Sequence, residues 1–409
     1  MKSNYKCLGD YITEIKVRNT ELKAQKLLGI NIDKFFMPSV ANVVGTDMSV
    51  YKIVKKNQFA CNRMHVGRDY RLPISMSKTD EEFMVSPAYD VFEIKDTSIL
   101  YPDYLMMWFS RREFDRNAWF YTDADVRGGL PWKSFCDMQL PIPSISKQRE
   151  IVKEYNVIQN RIALNQQLIQ KLEETAQTIY KQWFVDFEFP DGNGKPYKSN
   201  GGEMVFNEEL QKEIPLGWEV EKLGHLIESY SKTHSFKKDN LIFFNTSDIL
   251  DGEFLHNDYM SIYEMPGQAK KQIRKNDILF SEIRPNNKRY AIVRINSDDY
   301  IVSTKLMVLR RKNETFSTYR LYQFLTEESF ITELQQSAEG RSGTFPQITF
   351  EEDLEQKPFL IPNEKIEKLW NRLLNSSFDL LFSKKDENRK LSELKDVLLS
   401  KLATVGETN

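Results

Sequence analysis

Apolar side chains recur at alternating spacings of four and three between Ile151 and Trp183: Ile151, Tyr155, Ile158, Ile162, Asn165, Ile169, Leu172, Ala176, Ile179 and Trp183, with Asn165 the polar exception. This is the a/d seam of a helix packed along its length against another helix. Residues Ser144 to Phe187 contain no Pro or Gly. At about 1.5 Å per residue the seam runs roughly 48 Å. A second helix of the same spacing follows Leu360-Ile361-Pro362 and an N-cap at Asn363, carrying Ile366, Trp370, Leu373, Ser377, Leu380, Lys384, Glu387, Leu391, Leu394 and Leu398. Laid antiparallel with Ile151 opposite Leu398, every position finds a counterpart and Asn165 faces Lys384. Polar seam positions cost stability and fix register. The pattern therefore predicts an intramolecular antiparallel helix pair, with Asn165 and Lys384 as register devices. Two ordinary core helices with chance matches are the plainer alternative.

The segments before the two helices resemble each other. Lys6-Cys7-Leu8-Gly9 matches Lys222-Leu223-Gly224, Lys56-Asn57-Gln58-Phe59 matches Lys275-Asn276-Asp277-Ile278, and Phe83-Met84-Val85-Ser86 matches Tyr300-Ile301-Val302-Ser303. A helix-like stretch from Tyr104 to Phe114 matches one from Tyr319 to Phe330, Arg127-Gly128-Gly129-Leu130-Pro131 matches Arg341-Ser342-Gly343-Thr344-Phe345-Pro346, and both segments close on Ile-Pro. Six matches in the same order make the unit a globular domain of mixed strands and helices followed by a rod, present twice. Between them, Phe189 to Gly202 is rich in Gly, Pro and Asn and reads as a linker or turn-rich loop. The expected fold is α+β (mixed α/β): globular domains over 1–143 and 216–362, long helices over 144–188 and 363–405, and a linker over 189–215.

Composition narrows the chemistry. With 409 residues, 40% hydrophobic and 28% charged, the chain has room for two globular domains. No signal peptide or membrane-length apolar run is apparent, so the expected compartment is the cytoplasm. Cys7, Cys61 and Cys136 lack CxxC spacing and the four histidines lack ligand spacing, which predicts no metal site. Phosphate-loop, dinucleotide, nucleophile-elbow and zinc-protease motifs are missing, as is the Asn-Pro-Pro-Tyr of amino-methyltransferases. Asp191 and Lys195 lack the second acid of a nuclease and sit among turn residues. No catalytic residue is predicted. Apolar rod residues outside the seam (Leu164, Leu168, Leu374, Leu381) are expected to be exposed until a partner covers them.

A formal net charge of -2 means that nucleic-acid contact would have to be local. After a strand ending at Cys61, one loop carries Arg63, His65, Arg68 and Arg71; at the matching place after Phe280, another carries Arg284, Asn286, Asn287, Lys288 and Arg289. Arg offers bidentate bonds to guanine, Asn to adenine, and either cation neutralises phosphate. A solvated hairpin tip would also hold Gly, Pro and Asn; recurrence in both repeats favours contact. Arg127 and Arg341, in the turns ahead of Pro, either reach phosphate or hold the turn beside the rod.

The whole chain resembles the specificity subunit of type I restriction–modification systems. The likeness rests on the two domains closed by Leu-Pro-Ile-Pro and Leu-Ile-Pro, the rod opening Ser144-Ile145-Ser146-Lys147-Gln148, the run Gln182-Trp183-Phe184-Val185-Asp186-Phe187-Glu188-Phe189-Pro190, the segment from Gly194 to Met204, and Ile214-Pro215-Leu216-Gly217-Trp218. The resemblance implies two target-recognition domains, each reading half of a bipartite double-stranded DNA site, with the helix pair setting their spacing. It implies two docked modification subunits and further restriction subunits, with S-adenosylmethionine, ATP and Mg on those partners and no cofactor on this chain. Asn363-Glu364-Lys365-Ile366-Glu367-Lys368 is a weak version of the family's usual entry to the second rod. An orphan DNA-binding relative, or a scaffold that does not read DNA, is the alternative.

Overall fold

The computed structural model describes residues 5–40, 45–64, 66–122, 128–295 and 297–404. Two long helices span Ile145–Tyr180 and Glu364–Lys401. The first continues into a π-helical turn at Lys181–Val185, the second into a 3-10 turn at Leu402–Thr404. Asn363 caps the second as expected, its Oδ1 accepting from Ile366 N at 3.1 Å. The chain divides into two compact units, Met1–Leu164 with Glu387–Asn409, and Asn165–Asp386. Each globular part thus folds together with a portion of both long helices.

In the first unit, Ile151 and Val152 share a core with Leu399 and Leu402. Further along, Arg161 pairs with Glu387 at 2.6 Å, and Asn388 Nδ2 lies 3.5 Å from the Ile162 carbonyl. As one helix ascends in number the other descends, so the segments are antiparallel, and 161–162 against 387–388 is the expected register. In the second unit, Tyr180, Trp183 and Phe184 meet Trp370 at ring distances of 6.0, 5.7 and 4.9 Å, while Glu173 pairs with Lys385 at 2.9 Å. The antiparallel direction holds there too.

The seam of the first helix is buried or half-buried at every expected position, but that of the second is not. Leu373, Leu380 and Leu394 are exposed, and the buried line runs Ile366, Trp370, Leu374, Phe378, Leu381 and Lys385. An α-helix drifts about 20° per heptad against a strict 3.5 repeat. The second helix also packs on its own globular part, where Tyr319 stacks on Phe378 at 4.9 Å and Tyr322 meets Phe382 at 6.0 Å. Leu374 and Leu381 are therefore core residues, contrary to the expectation that they await a partner; Leu164 is exposed as expected.

The repeat is carried by one four-stranded sheet in each unit; the second unit adds a mixed sheet ordered Tyr259–Ser261, Asn240–Phe244, Tyr300–Ser303, Ala269–Gln272, where the described residues of the first have two-stranded pairs. In the first unit a four-stranded antiparallel sheet is ordered Ile12–Ile15, Asp90–Ile94, Phe59–Cys61, Ile74–Met76; in the second the order is Ile227–Ser229, Leu306–Arg311, Ile278–Ser281, Tyr290–Ile292. Each unit also pairs its entry strand with the strand preceding its long helix, Tyr5–Cys7 with Gln139–Pro141 and Glu219–Lys222 with Pro358–Ile361. Asn57 and Asn276 both turn at positive φ (64° and 72°). Beyond them, Gln58 bonds Glu93 at 2.9 Å, and Asp277 takes a bidentate grip from Arg310, 2.8 Å on each oxygen.

The stretches expected to be one helix each are two. Pro102–Phe109 and Arg112–Phe120 break at Ser110, as Thr318–Leu325 and Glu328–Arg341 break at Thr326. The segment expected to link the halves is packed: Phe189 stacks on Trp218 at 5.0 Å and on Tyr197 at 4.6 Å, and Met204–Asn207 pairs with Lys212–Pro215. Asp191 accepts from Asn193 N and Lys195 N, which makes it a turn residue.

Candidate nucleic-acid interface

Each basic loop follows a fully buried strand and lies against the turn that precedes the unit's last strand. In the first unit Leu130 N donates to Arg63 O (2.9 Å) and Gly67 N to Gly128 O (2.8 Å). A Cβ built on Gly67 would fall 2.7 Å from Gly128 Cα, so both positions require glycine for this approach. In the second unit Arg284 N donates to Pro346 O (3.2 Å) and Ile348 N to Glu282 O (2.8 Å). Loop and turn, two separate patches in the sequence, form one surface in each unit.

The side chains divide into those facing water and those committed inward. Arg63 is inward: Nε pairs with Asp90 at 2.6 Å, Nη1 donates to Leu130 O, and the guanidinium lies 5.5 Å from the Trp132 ring. Arg68 is exposed and forks onto neighbouring Asp69 (2.7 and 3.0 Å); Arg71 is exposed and pairs with Asp33 at 2.9 Å. Exposed pairs of this kind constrain weakly and exchange readily for phosphate. His65 and Arg127 lie outside the described residues.

In the second unit Arg284, Asn286, Asn287 and Lys288 are exposed. Among the described residues, the Arg284 side chain makes only a 3.5 Å contact, with Thr344 O. Both cations stand at positive φ, 45° and 53°, a left-handed conformation costly for residues with a Cβ. Arg289 instead donates to Ser247 O (3.0 Å) and Ile249 O (2.9 Å). Arg341 binds Asp353, Glu352 (3.0 Å) and Ser337 (2.9 Å). The hydrogen bond that Arg341 donates to Asp353, first, against the cost of desolvation, lifts the Arg341 pKa above its ordinary value. Burial pushes the Asp353 carboxyl up, but the Arg341, Thr349 and Ser337 donors together hold it below 3.8. Arg341 therefore holds the turn beside the loop.

Exposed aromatics border both surfaces and were not singled out from sequence. Tyr70, at the end of the first loop, packs on Trp119 at 5.3 Å; Phe120 and Tyr121 follow, also exposed. Phe345 is exposed between Thr344 and Pro346. The aromatic run Trp119-Phe120-Tyr121 at the end of a polar helix was the available signal. Aromatic edges suit contact with the thymine methyl.

Residues 215–393 match the family model described as type I restriction modification DNA specificity domain. Over those residues the chain is similar to a type I specificity domain. Among curated relatives, the type I restriction enzyme HindI specificity subunit of Haemophilus influenzae is 42% identical over 135 residues, 33% of this chain and 29% of that protein. The MjaIX specificity subunit of Methanocaldococcus jannaschii is 25% identical over 297 residues, 68% of this chain and 64% of that protein. Both matches span less than two thirds of those relatives. The crystal structure of a type I restriction–modification S subunit from M. genitalium aligns over 98% of this chain and 95% of its own, with TM-score 0.60 and 12% identity. At that identity the likeness is one of fold: repeated mixed domains with long helices. The family match covers the second basic loop and turn. Among the described residues no helix is long and apolar enough to cross a membrane, and no cluster of three or more His, Cys, Asp or Glu could hold a metal ion.

Proposed function

We propose that this chain is the DNA-reading, non-catalytic subunit of a type I restriction–modification complex. In this reading residues 1–143 and 216–362 are target-recognition domains, each meeting one half of a bipartite double-stranded site in the major groove. The helices over 144–188 and 363–405 set the spacing of the halves and dock two modification subunits; 189–215 joins the two repeats. Restriction subunits complete the assembly, which works in the cytoplasm. The partners carry S-adenosylmethionine, ATP and Mg.

One observation carries the reading: in both units an exposed basic loop, following the third strand of the corresponding four-stranded sheet, is backbone-bonded to a second turn. Arg68 and Arg71 of the first surface, and Arg284, Asn286, Asn287 and Lys288 of the second, are the contact residues; His65 and Arg127 remain contact candidates on sequence grounds alone. Arg63, Arg289 and Arg341 support the surfaces from behind. Asn165, 2% exposed in mid-helix, and Lys384 act in register.

The test is methylation mapping in a host without its own modification, expressing this chain with the modification subunit encoded beside it. Methylation at a two-part motif with a fixed spacer is expected. A purified complex of the two proteins that methylates nothing new would overturn the proposal.

A further inference from the structure

The second basic loop ends against a hairpin turn, and that turn is fastened to a long helix. Asp251 and Gly252, at φ 46° and 86°, join strands Ile249–Leu250 and Glu253–Phe254. Asp251 N donates to Lys288 O (2.8 Å), Gly252 N donates to Tyr290 O (2.9 Å), and the Tyr290 hydroxyl donates to Asp251 Oδ1 (3.1 Å). From behind, Lys385 of the second long helix donates Nζ to Asp251 O (2.8 Å) and pairs with Glu173 of the first at 2.9 Å. Lys385 is only 8% exposed. The turn has little room: a Cβ on Gly252 would lie 2.8 Å from the Tyr322 hydroxyl.

An ammonium buried this far is tolerated only when paired and hydrogen-bonded. Here one of its partners is the carbonyl of the turn that grips the loop. The loop needs gripping, because Arg284 and Lys288 hold left-handed backbone that relaxes unless its surroundings over-determine it. The first unit braces its loop with a hairpin of its own, Leu28–Ile30 with Phe36–Pro38, but anchors it elsewhere. Its turn residue Lys34 pairs with Asp115 of a short helix at 2.8 Å, Asp115 accepts from Leu72 N at 3.1 Å, and Asp33 pairs with Arg71. Among the described residues, the anchor sits on the helix pair only in the second unit.

We propose that Lys385 is a positioning residue for DNA reading by the second unit: through the 251–252 turn it holds Arg284, Asn286 and Lys288 in their contact geometry. The helix pair then shapes a recognition loop in addition to spacing the halves. This rests on the DNA-reading role proposed above.

The experiment presents random-sequence duplexes to the complex of the full chain with its modification subunit and sequences what is retained. Arg284→Ala and Lys288→Ala identify the half-motif read by the second unit, by blurring it. Lys385→Met should blur the same half about tenfold in enrichment, leave the other half sharp, and speed hydrogen exchange at the Asp251 and Gly252 amides. Lys385→Arg should restore most of the discrimination. Tyr290→Phe removes the hydroxyl bond to Asp251 Oδ1 while leaving the Lys385–Glu173 pair intact, and should act in the same direction if Lys385→Met fails to fold. If Arg284→Ala blurs one half while Lys385→Met or Tyr290→Phe reads it as sharply as the parent, the positioning role is wrong. If neither loop variant blurs either half, the DNA-reading assignment of the loop fails, and the positioning role with it.

Discussion

Glu367→Leu should destabilise the second unit by about 3–5 kcal/mol, the cost of leaving one partner of a buried ion pair unmatched. Arg320 is 1% exposed; its Nε lies 2.8 Å from Glu367 Oε2 on the second long helix. The variant keeps the bond from Nη1 to Leu360 O (2.7 Å) and the ring of Phe359 4.4 Å away. A neutral carbonyl and a ring face do not replace a carboxylate in contact. Arg320→Met should cost less, about 2–3 kcal/mol, because the stranded carboxyl can take up a proton. Desolvation already pushes the Glu367 pKa above its ordinary value. The double variant Arg320→Met/Glu367→Leu replaces the pair with apolar volume and should lose only about 0–2 kcal/mol. Urea unfolding of the full chain reads this out by tryptophan fluorescence, since Trp183, Trp218 and Trp370 share the core beside the pair. Single variants costing under about 1 kcal/mol, or a double variant equal to their sum, would refute the reasoning.

Replacing Arg284 or Lys288 by Ala should weaken DNA binding and lower the slope of log affinity against log salt by about 0.9 for each phosphate that is no longer neutralised; titration at several salt concentrations reads it. Arg289→Ala and Arg341→Ala, whose side chains bind the protein itself, should lower the melting temperature and leave the slope unchanged. Gly67→Ala puts a methyl against the Gly128 backbone and should cost about 1–3 kcal/mol while blurring only the half-motif of the first unit. Asp353 has a folded pKa below its ordinary 3.8, so its contribution is complete above that value and is lost as pH falls through the folded one. Acid titration of Asp353→Asn should lack that component.

The sequence by itself determined the long helices, their antiparallel pairing, the repeat and the places of the basic loops. Each follows from local pattern: a helical period sustained for many turns, a cap at Asn363, turn residues at matching points. Tertiary structure decided the phase of the second helix. Leu373 and Leu374 fit a heptad almost equally, and only packing against Tyr319 and Tyr322 turns the Leu374, Phe378 and Phe382 face inward. It also decided which cations are available. Arg63 and Arg284 look alike in sequence, but Asp90, 27 residues away, claims the first, while a strained turn presents the second to solvent. The heptad put Lys384 in the seam, whereas tertiary packing buries its neighbour Lys385 against Glu173 and the Asp251 carbonyl. Such commitments depend on neighbours remote along the chain, which periodicity does not encode.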